Sequence, residues 1–517
     1  MILTDLPEQS LERFGEYPML YAGDRQVTNL ELRNSANRLA NGLRRLGVTA
    51  GERVIVCMPN CPEVFIAYQG ILRAEAIVLP VMTLLHPREI GFIIEASGAS
   101  AIITSQSVLP AIEQAVADMD APPQLVVAGL VRDQPGLTAG TPCHSLSSLM
   151  ADADAEIRKP ALKEDDVAVI LFTSGTTGQP KGVMLTHRNL YSNAASAVQL
   201  AEEANDEPGT TIGVLPLAHI YGFTVANTLF LKGGRMVIMQ KFDVRAVCEA
   251  IQNHRVRAFA TVPAMVHALT HAPEVDEYDV SSLESLGCGS APLPVSLIET
   301  FRARFHAEIY EGYGLSEASP TVTAHRKGEP IKPGSVGRAF PGVELRIADE
   351  KGNPLPVGEV GELLVRGENI TPGYYNNEEA TRAALKDGWF HTGDMARLDD
   401  DGYLYIVDRK KDLILRGGFN IYPRDLEELI SRHPAVAEVA VVGVPSERMG
   451  EEVIAVVVRK PDADLCEEEL LAFCQERLAK YKTPRNIVFM DALPRNGVGK
   501  ILKKALREQA SEQARAN

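Results

Sequence analysis

The sequence predicts an α/β protein. A large N-terminal domain of layered α/β subdomains carries a small β-barrel-like part, and a small α+β domain follows it. Three observations predict this. Apolar runs of strand length alternate with amphipathic helical stretches through residue 104, the pattern of parallel α/β layers. Between residues 343 and 407 the pattern changes to short strands separated by Asp/Gly turns. After residue 412 helix–strand alternation resumes.

The elements follow in order. Residues 24–34 open the first helix, and Leu30, Leu32, Ala36, Leu39, Leu43 and Leu46 set one apolar stripe along it. Val54-Ile-Val-Cys-Met58 is a strand, Pro59-Asn-Cys-Pro62 a turn, and 65–74 a helix. Ala76-Ile-Val-Leu-Pro-Val81 and Ala101-Ile-Ile-Thr104 are strands around a helix at 87–96. Residues 105–160 show little periodicity. Val167 to Phe172 reads as a buried strand and 187–204 as a helix. Ile212-Gly-Val-Leu-Pro216, Ala258-Phe-Ala-Thr-Val262 and Ser285-Leu-Gly-Cys-Gly289 each run from strand into turn. Short strands follow at 343–348, 362–366 and 403–407, with hairpin-like turns at Asp349-Glu-Lys-Gly352 and Asp399-Asp-Asp-Gly402. The charge run Asp408-Arg-Lys-Lys-Asp412 separates two apolar runs. By itself such a run reads as a solvated turn between them.

The bulk composition excludes several functions. Net charge is −16, which argues against non-specific nucleic-acid binding. Any anion site must therefore be built locally. Seven cysteines, an odd number with no CxxC pair, argue against a disulfide framework or a zinc site and fit a cytoplasmic protein. The first residues show no basic stretch ahead of an apolar one, so no signal peptide is expected. No apolar run approaches the ~20 residues of a membrane span. Peripheral membrane contact and a dimer stay open.

The stretch with most chemical content is Thr173-Ser-Gly-Thr-Thr-Gly-Gln-Pro-Lys181-Gly182. Gly175 and Gly178 let backbone N–H groups converge on one anion. Thr173, Ser174, Thr176 and Thr177 add hydroxyl donors, and Lys181 adds charge. This reads as a polyphosphate loop, although the composition alone also fits a solvent-exposed turn. The spacing excludes the ordinary P-loop, since Gln179 and Pro180 stand where that pattern needs other residues.

This loop resembles the signature of the adenylate-forming enzymes: acyl-CoA synthetases, beetle luciferases and peptide-synthetase adenylation domains. Four further stretches match the family in order: Gly312-Tyr-Gly-Leu-Ser-Glu317, Thr392-Gly-Asp394, Asp408-Arg-Lys-Lys411-Asp and Pro494-Arg-Asn-Gly-Val-Gly-Lys500. The resemblance spans nearly the whole chain and is strongest to fatty acyl-CoA ligases. It implies an ATP-dependent acid–CoA ligase. A carboxylate and ATP would give acyl-AMP and pyrophosphate, and the CoA thiol would then displace AMP. An enzyme that stops at acyl-AMP, or a ligase for an aryl or other small acid, is the alternative.

The resemblance also implies roles. Thr173 to Lys181 would orient the phosphates, and Glu317 with Thr176 would hold Mg²⁺. Tyr313 would stack on adenine, with Gly289, Ser290, Ala291, Glu311, Gly312 and Gly314 around the base and Ser316 near phosphate. Asp394 would accept the ribose hydroxyls, and Arg409 would contact ribose or phosphate. The charge run would be a hinge at 409–411 between a large N-terminal domain, 1–408, and a mobile C-terminal lid, 412–517, and Lys411 matches its pivot. Lys500 would swing in with the lid to neutralise charge between carboxylate and α-phosphate. The Gly417-Gly418 strand would line the CoA tunnel, and Lys480, Lys482 and Arg485 could receive the CoA 3′-phosphate.

The acid is a small-molecule carboxylate. Gly418-Phe-Asn resembles fatty acyl-CoA ligases more than small-acid relatives. Ile220, Tyr221, Phe223, Val262, Met265 and Cys288 would line an apolar pocket, although each could equally be core. His219, in Pro216-Leu-Ala-His-Ile-Tyr, would orient the acid or serve a structural role.

Overall fold

A computed structural model describes residues 1–130, 143–151, 153–173, 180–203, 208–446, 448–461, 463–495 and 501–516. The chain forms two compact units. The first comprises Met1–Glu344 and Val365–Phe390, the second Leu345–Leu364 and His391–Asn517. The connection expected at 409–411 therefore lies inside the second unit, together with the short-strand segment that the sequence assigns to the N-terminal domain. The short strands 391–409 pair with one another and with 361–364, which accounts for their grouping.

An eight-stranded sheet forms the centre of the first unit. Its order is Gly373–Tyr374, Lys181–Thr186, Val167–Thr173, Ile77–Pro80, Arg53–Cys57, Ala101–Ser105, Gln124–Ala128 and Cys143–Ser145. The last six run parallel, and the first two pair antiparallel at the edge. Strand residues alternate between two cores. Val54, Val56, Val78 and Ile103 join one cluster, and Ile55, Cys57, Leu79 and Ile102 join the other. Helices Asn29–Arg45 and Pro62–Arg73 cover the first face, and Pro87–Ser97 and Leu109–Val116 the second.

A five-stranded sheet carries the candidate nucleotide segments. Ala258–Thr261, Ser285–Cys288 and Glu308–Gly314 are parallel, and Thr321–Ala324 and Arg338–Ala339 continue antiparallel. A four-stranded sheet orders Thr210–Gly213, Arg235–Ile238, Pro18–Ala22 and Arg25–Thr28.

The second unit holds two antiparallel assemblies. One includes Trp389–Leu398 and Leu404–Arg409. The other orders Phe419–Ile421, Ile414–Arg416, Gly450–Arg459 and Val436–Ser446, with Asn486–Phe489 parallel to Gly450–Arg459. Its two faces are covered by Pro423–Ile430 and Glu467–Gln475 on one side and by Lys503–Ala516 on the other.

Three expectations need correction. The first long helix begins at Asn29, not at 24, because Arg25–Thr28 pairs as a strand and Thr28 caps the helix by accepting from Glu31 N at 3.0 Å. The irregular stretch after 105 contains two helices, Leu109–Val116 and Leu146–Ala151, and two sheet strands. Their apolar runs are short, so pairing with Ala101–Ser105 supplies what periodicity lacks. Gly417 and Gly418 form a two-residue hairpin turn between Ile414–Arg416 and Phe419–Ile421, at φ +59° and +85°. Only such a turn needs both residues left-handed.

Candidate active site

Parallel strands of an α/β sheet place their carboxyl ends on one side, where ligands bind. Three such ends adjoin here. Thr261 is in register with Cys288, and Cys288 with Glu311. Val262, the stretch Cys288-Gly-Ser-Ala291 and the stretch Glu311-Gly-Tyr-Gly314 are thereby brought together. Gly314 is required by close packing, since a Cβ there would lie 2.4 Å from the Pro320 carbonyl oxygen. The strand then breaks into a short 3₁₀ turn, Ser316–Ala318, which carries Ser316 and Glu317.

Tyr221 lies over two glycines of this group. A Cβ on Gly287 would meet the Tyr221 Oη at 3.2 Å, and one on Gly289 its ring at 3.7 Å. The ring thus occupies space that any larger residue at 287 would contest. No described residue hydrogen-bonds the Tyr221 hydroxyl, and burial raises its pKa. Burial likewise pushes the Cys288 thiol up to about 12, with Glu311 adding to the effect; the side chain is packed in the core of this sheet and is not the pocket wall that the sequence suggests. Met265 is partly buried against the core beside these strands. Phe223 is different: it packs on Tyr68, ring centroids 4.9 Å apart, within the main core cluster.

His219 caps helix Ile220–Lys232. Its Nδ1 accepts from Tyr221 N at 3.2 Å. Burial holds its pKa below the usual value, so the ring is neutral and its proton resides on Nε2.

Glu317 and Lys181 meet through a residue that sequence reasoning missed. The Tyr374 hydroxyl donates to Glu317 Oε1 at 2.9 Å, and the Lys181 ammonium lies 5.4 Å from the centre of the Tyr374 ring. Gly-Tyr-Tyr after Thr371-Pro was the available signal, but only the pairing of Gly373–Tyr374 with the strand behind Lys181 gives it meaning. Glu317 Oε2 has no partner among the described residues. One carboxylate with a spare oxygen suits Mg²⁺, which takes one or two protein carboxylates and fills its remaining positions with phosphate oxygens and water. No cluster of three or more His, Cys, Asp or Glu capable of holding a metal occurs among the described residues. The residues thus fit a cation carried in by a nucleotide. Ser174, Gly175, Thr176, Thr177, Gly178 and Lys500 lie outside the described residues.

In the second unit Asp394 and Arg409 are cross-strand partners, Arg409 Nε 3.1 Å from Asp394 Oδ1. Asp394 is buried and Arg409 part-exposed. Lys411 is exposed in the turn that follows, and partial desolvation of its amine, with nearby Arg409 and Arg507, lowers its pKa despite the attraction of Asp412. Gly417 and Gly418 are exposed at their hairpin tip. No described helix is long and apolar enough to cross a membrane.

Comparison with known proteins places the whole chain in a family. The AMP-binding enzyme family matches residues 7–375, and the AMP-binding enzyme C-terminal domain matches 425–500. A long-chain-fatty-acid–CoA ligase of Bacillus subtilis is 36% identical over 99% of this chain and 94% of its own. A feruloyl-CoA synthase of Amycolatopsis is 38% identical over 94% of each chain. The crystal structure of ATP-bound MatB from Rhodopseudomonas palustris superposes with a TM-score of 0.88 at 31% identity, covering 99% of both chains. With both domains matched and identity of this order across nearly its whole length, the chain belongs to the AMP-binding enzyme family, the adenylate-forming superfamily, as an AMP-forming acyl-CoA synthetase.

Proposed function

We propose that this synthetase activates a medium- or long-chain fatty acid. The observation that carries the reading is the largely apolar surface at the strand ends, where Tyr221 lies over Gly287 and Gly289. A bare hydrocarbon tail needs such a surface, since each buried methylene contributes ~0.8 kcal/mol. His219 Nε2–H supplies a donor for the acid's carboxylate.

The remaining roles follow the chemistry of the residues. Lys181, with the loop 173–178, neutralises the β- and γ-phosphates. Tyr313 supplies an aromatic face for adenine, with the backbone of Gly289 to Ala291 and Glu311 to Gly314 bordering the base. Ser316 adds a hydroxyl near phosphate. Asp394, held by Arg409, accepts from ribose hydroxyls. Glu317 and Thr176 would be the oxygen ligands for Mg²⁺. When bound, that ion offsets charge on the triphosphate. Lys411 is the pivot about which residues 412–517 turn between half-reactions. Lys500 stabilises the adenylation transition state, a contribution of roughly 3–4 kcal/mol for a preorganised charge. Gly417 and Gly418 border the pantetheine path.

A second reading is an aryl acid. The Tyr221 ring offers a flat wall, and its hydroxyl is available to a polar ring substituent. Pyrophosphate release across straight-chain and aryl acids, with and without CoA, tests both. Acyl-CoA formation peaking at one chain length supports the first reading, and a preference for hydroxylated aryl acids replaces it with the second. Acyl-AMP accumulating despite CoA would refute the ligase assignment.

A further inference from the structure

The segment 368–374 is clamped to three elements of the first unit. Asn189 Nδ2 donates to the carbonyls of Glu368 and Ile370 at 2.7 and 2.9 Å. Asn369 Nδ2 donates to the Ala318 carbonyl at 2.8 Å, and Thr371 N to the Glu317 carbonyl at 2.8 Å. These bonds fix the turn that carries Glu317. The Thr371 hydroxyl donates to the Met184 carbonyl at 2.5 Å, fixing the strand that begins at Lys181. Asn369 and Thr371 are buried.

Register then sets what Tyr374 touches. Tyr374 pairs with Val183, and Gly373 with Met184, in the antiparallel ladder. Lys181 is two residues from Val183, so it shares that face and is the diagonal neighbour of Tyr374. Gly373 makes the approach feasible: it adopts φ +144°, and a Cβ there would lie 2.5 Å from the Thr381 side chain. Thr381 Oγ1 in turn accepts from Tyr374 N at 2.9 Å. One side chain therefore presents its ring to an ammonium and its hydroxyl to a carboxylate. Among the described residues no carboxylate forms an ion pair with Lys181.

We propose that Tyr374 is a positioning residue that sets Glu317 for the cation of Mg·ATP through its hydroxyl and Lys181 for the phosphates through its ring. The proposal rests on the reading of Glu317 and Lys181 given above. It separates two functions of one side chain. Holding Glu317 Oε1 leaves Oε2 directed by a fixed hydrogen bond. Removing the hydroxyl alone frees the carboxylate to rotate while the ring keeps the lysine in place.

The test compares Tyr374→Phe, Tyr374→Leu and Glu317→Gln with the unaltered chain. Binding of Mn²⁺ in the presence of ATP is followed by electron paramagnetic resonance, and binding of ATP at saturating Mg²⁺ by calorimetry. Tyr374→Phe should weaken Mn²⁺ binding roughly tenfold, the scale of one hydrogen bond to a charged group, and leave ATP affinity within about twofold. Tyr374→Leu should weaken both. The double variant Tyr374→Phe/Glu317→Gln should bind Mn²⁺ no more weakly than Glu317→Gln alone. If Glu317→Gln weakens Mn²⁺ binding and Tyr374→Phe does not, the proposal is overturned. If Glu317→Gln leaves Mn²⁺ binding unchanged, the assignment of Glu317 itself falls, and the proposal with it. Equal weakening of ATP by the Phe and Leu variants would mark a structural role only.

Discussion

Replacing Tyr221 by alanine should move the preferred acid to longer or bulkier chains. The side chain now covers Gly287 and Gly289, its hydroxyl 3.2 Å and its ring 3.7 Å from where their respective Cβ atoms would stand. Its removal opens that space without touching the glycines. Each methylene that enters it gains ~0.8 kcal/mol, roughly fourfold in kcat/KM. Three methylenes would gain ~2.4 kcal/mol, roughly sixtyfold. Loss of a fully buried ring costs about 3–5 kcal/mol of stability. The cost at 221 should lie at or below that range, because the ring is only part-buried and its hydroxyl bonds no described residue. The assay is pyrophosphate release over a ladder of straight-chain acids from medium to long, with circular dichroism to verify folding. Tyr221→Phe is the control: it keeps the ring and should keep the chain-length peak, while losing any preference for hydroxylated aryl acids. A folded Tyr221→Ala variant with an unmoved peak would refute the placement of the acid against this ring.

Three further outcomes are expected. Lys411→Pro should form acyl-AMP at near-normal rate and lose most thioester formation, as measured in separate single-turnover half-reactions; equal loss of both steps would remove the pivot. Asp394→Asn should erase discrimination between ATP and 2′,3′-dideoxy-ATP, at a cost of roughly tenfold to a hundredfold in kcat/KM for ATP; discrimination that persists would detach Asp394 from the ribose. His187 is buried, accepts from Leu3 N at 3.2 Å, and has a pKa lowered by burial to about 4. Its unfolded pKa is near 6.5, so the unfolded chain binds the proton first and stability falls as pH drops from about 6.5 towards about 4. The full loss is about 3 kcal/mol. His187→Gln should flatten the fall in apparent Tm between neutral pH and about pH 5; parallel profiles for the two proteins would contradict the buried, neutral histidine.

Much of the fold was legible because its signals are local. The runs Val54 to Met58 and Ala101 to Thr104 are apolar enough to become buried parallel strands, and the Asp/Gly turns at 349–353 and 399–402 form with Gly352 and Gly402 at positive φ. Short edge pieces were not legible. Arg25–Thr28 and Gly373–Tyr374 have no periodicity of their own and become strands only when a neighbour supplies hydrogen bonds.

The same division holds for the candidate site. Sequence alone determined the family, because five ordered motifs carry Lys181, Glu317, Asp394, Arg409 and Lys500 in a spacing that chance does not produce. It also determined that any anion site must be local, since the chain's net charge is −16. Tertiary structure decided which of the apolar residues meet. Tyr221 falls on Gly287 and Gly289, whereas Phe223, two positions on, turns into the core against Tyr68. A helix separates such neighbours by about 200°, so adjacency in sequence places them on different faces. Tertiary structure also decided the partner of Glu317. Tyr374 stands 57 residues away in the chain and 2.9 Å away in space, because a two-residue edge strand pairs beside Lys181. A contact of that kind depends on sheet register, and register is a property of the assembled sheet.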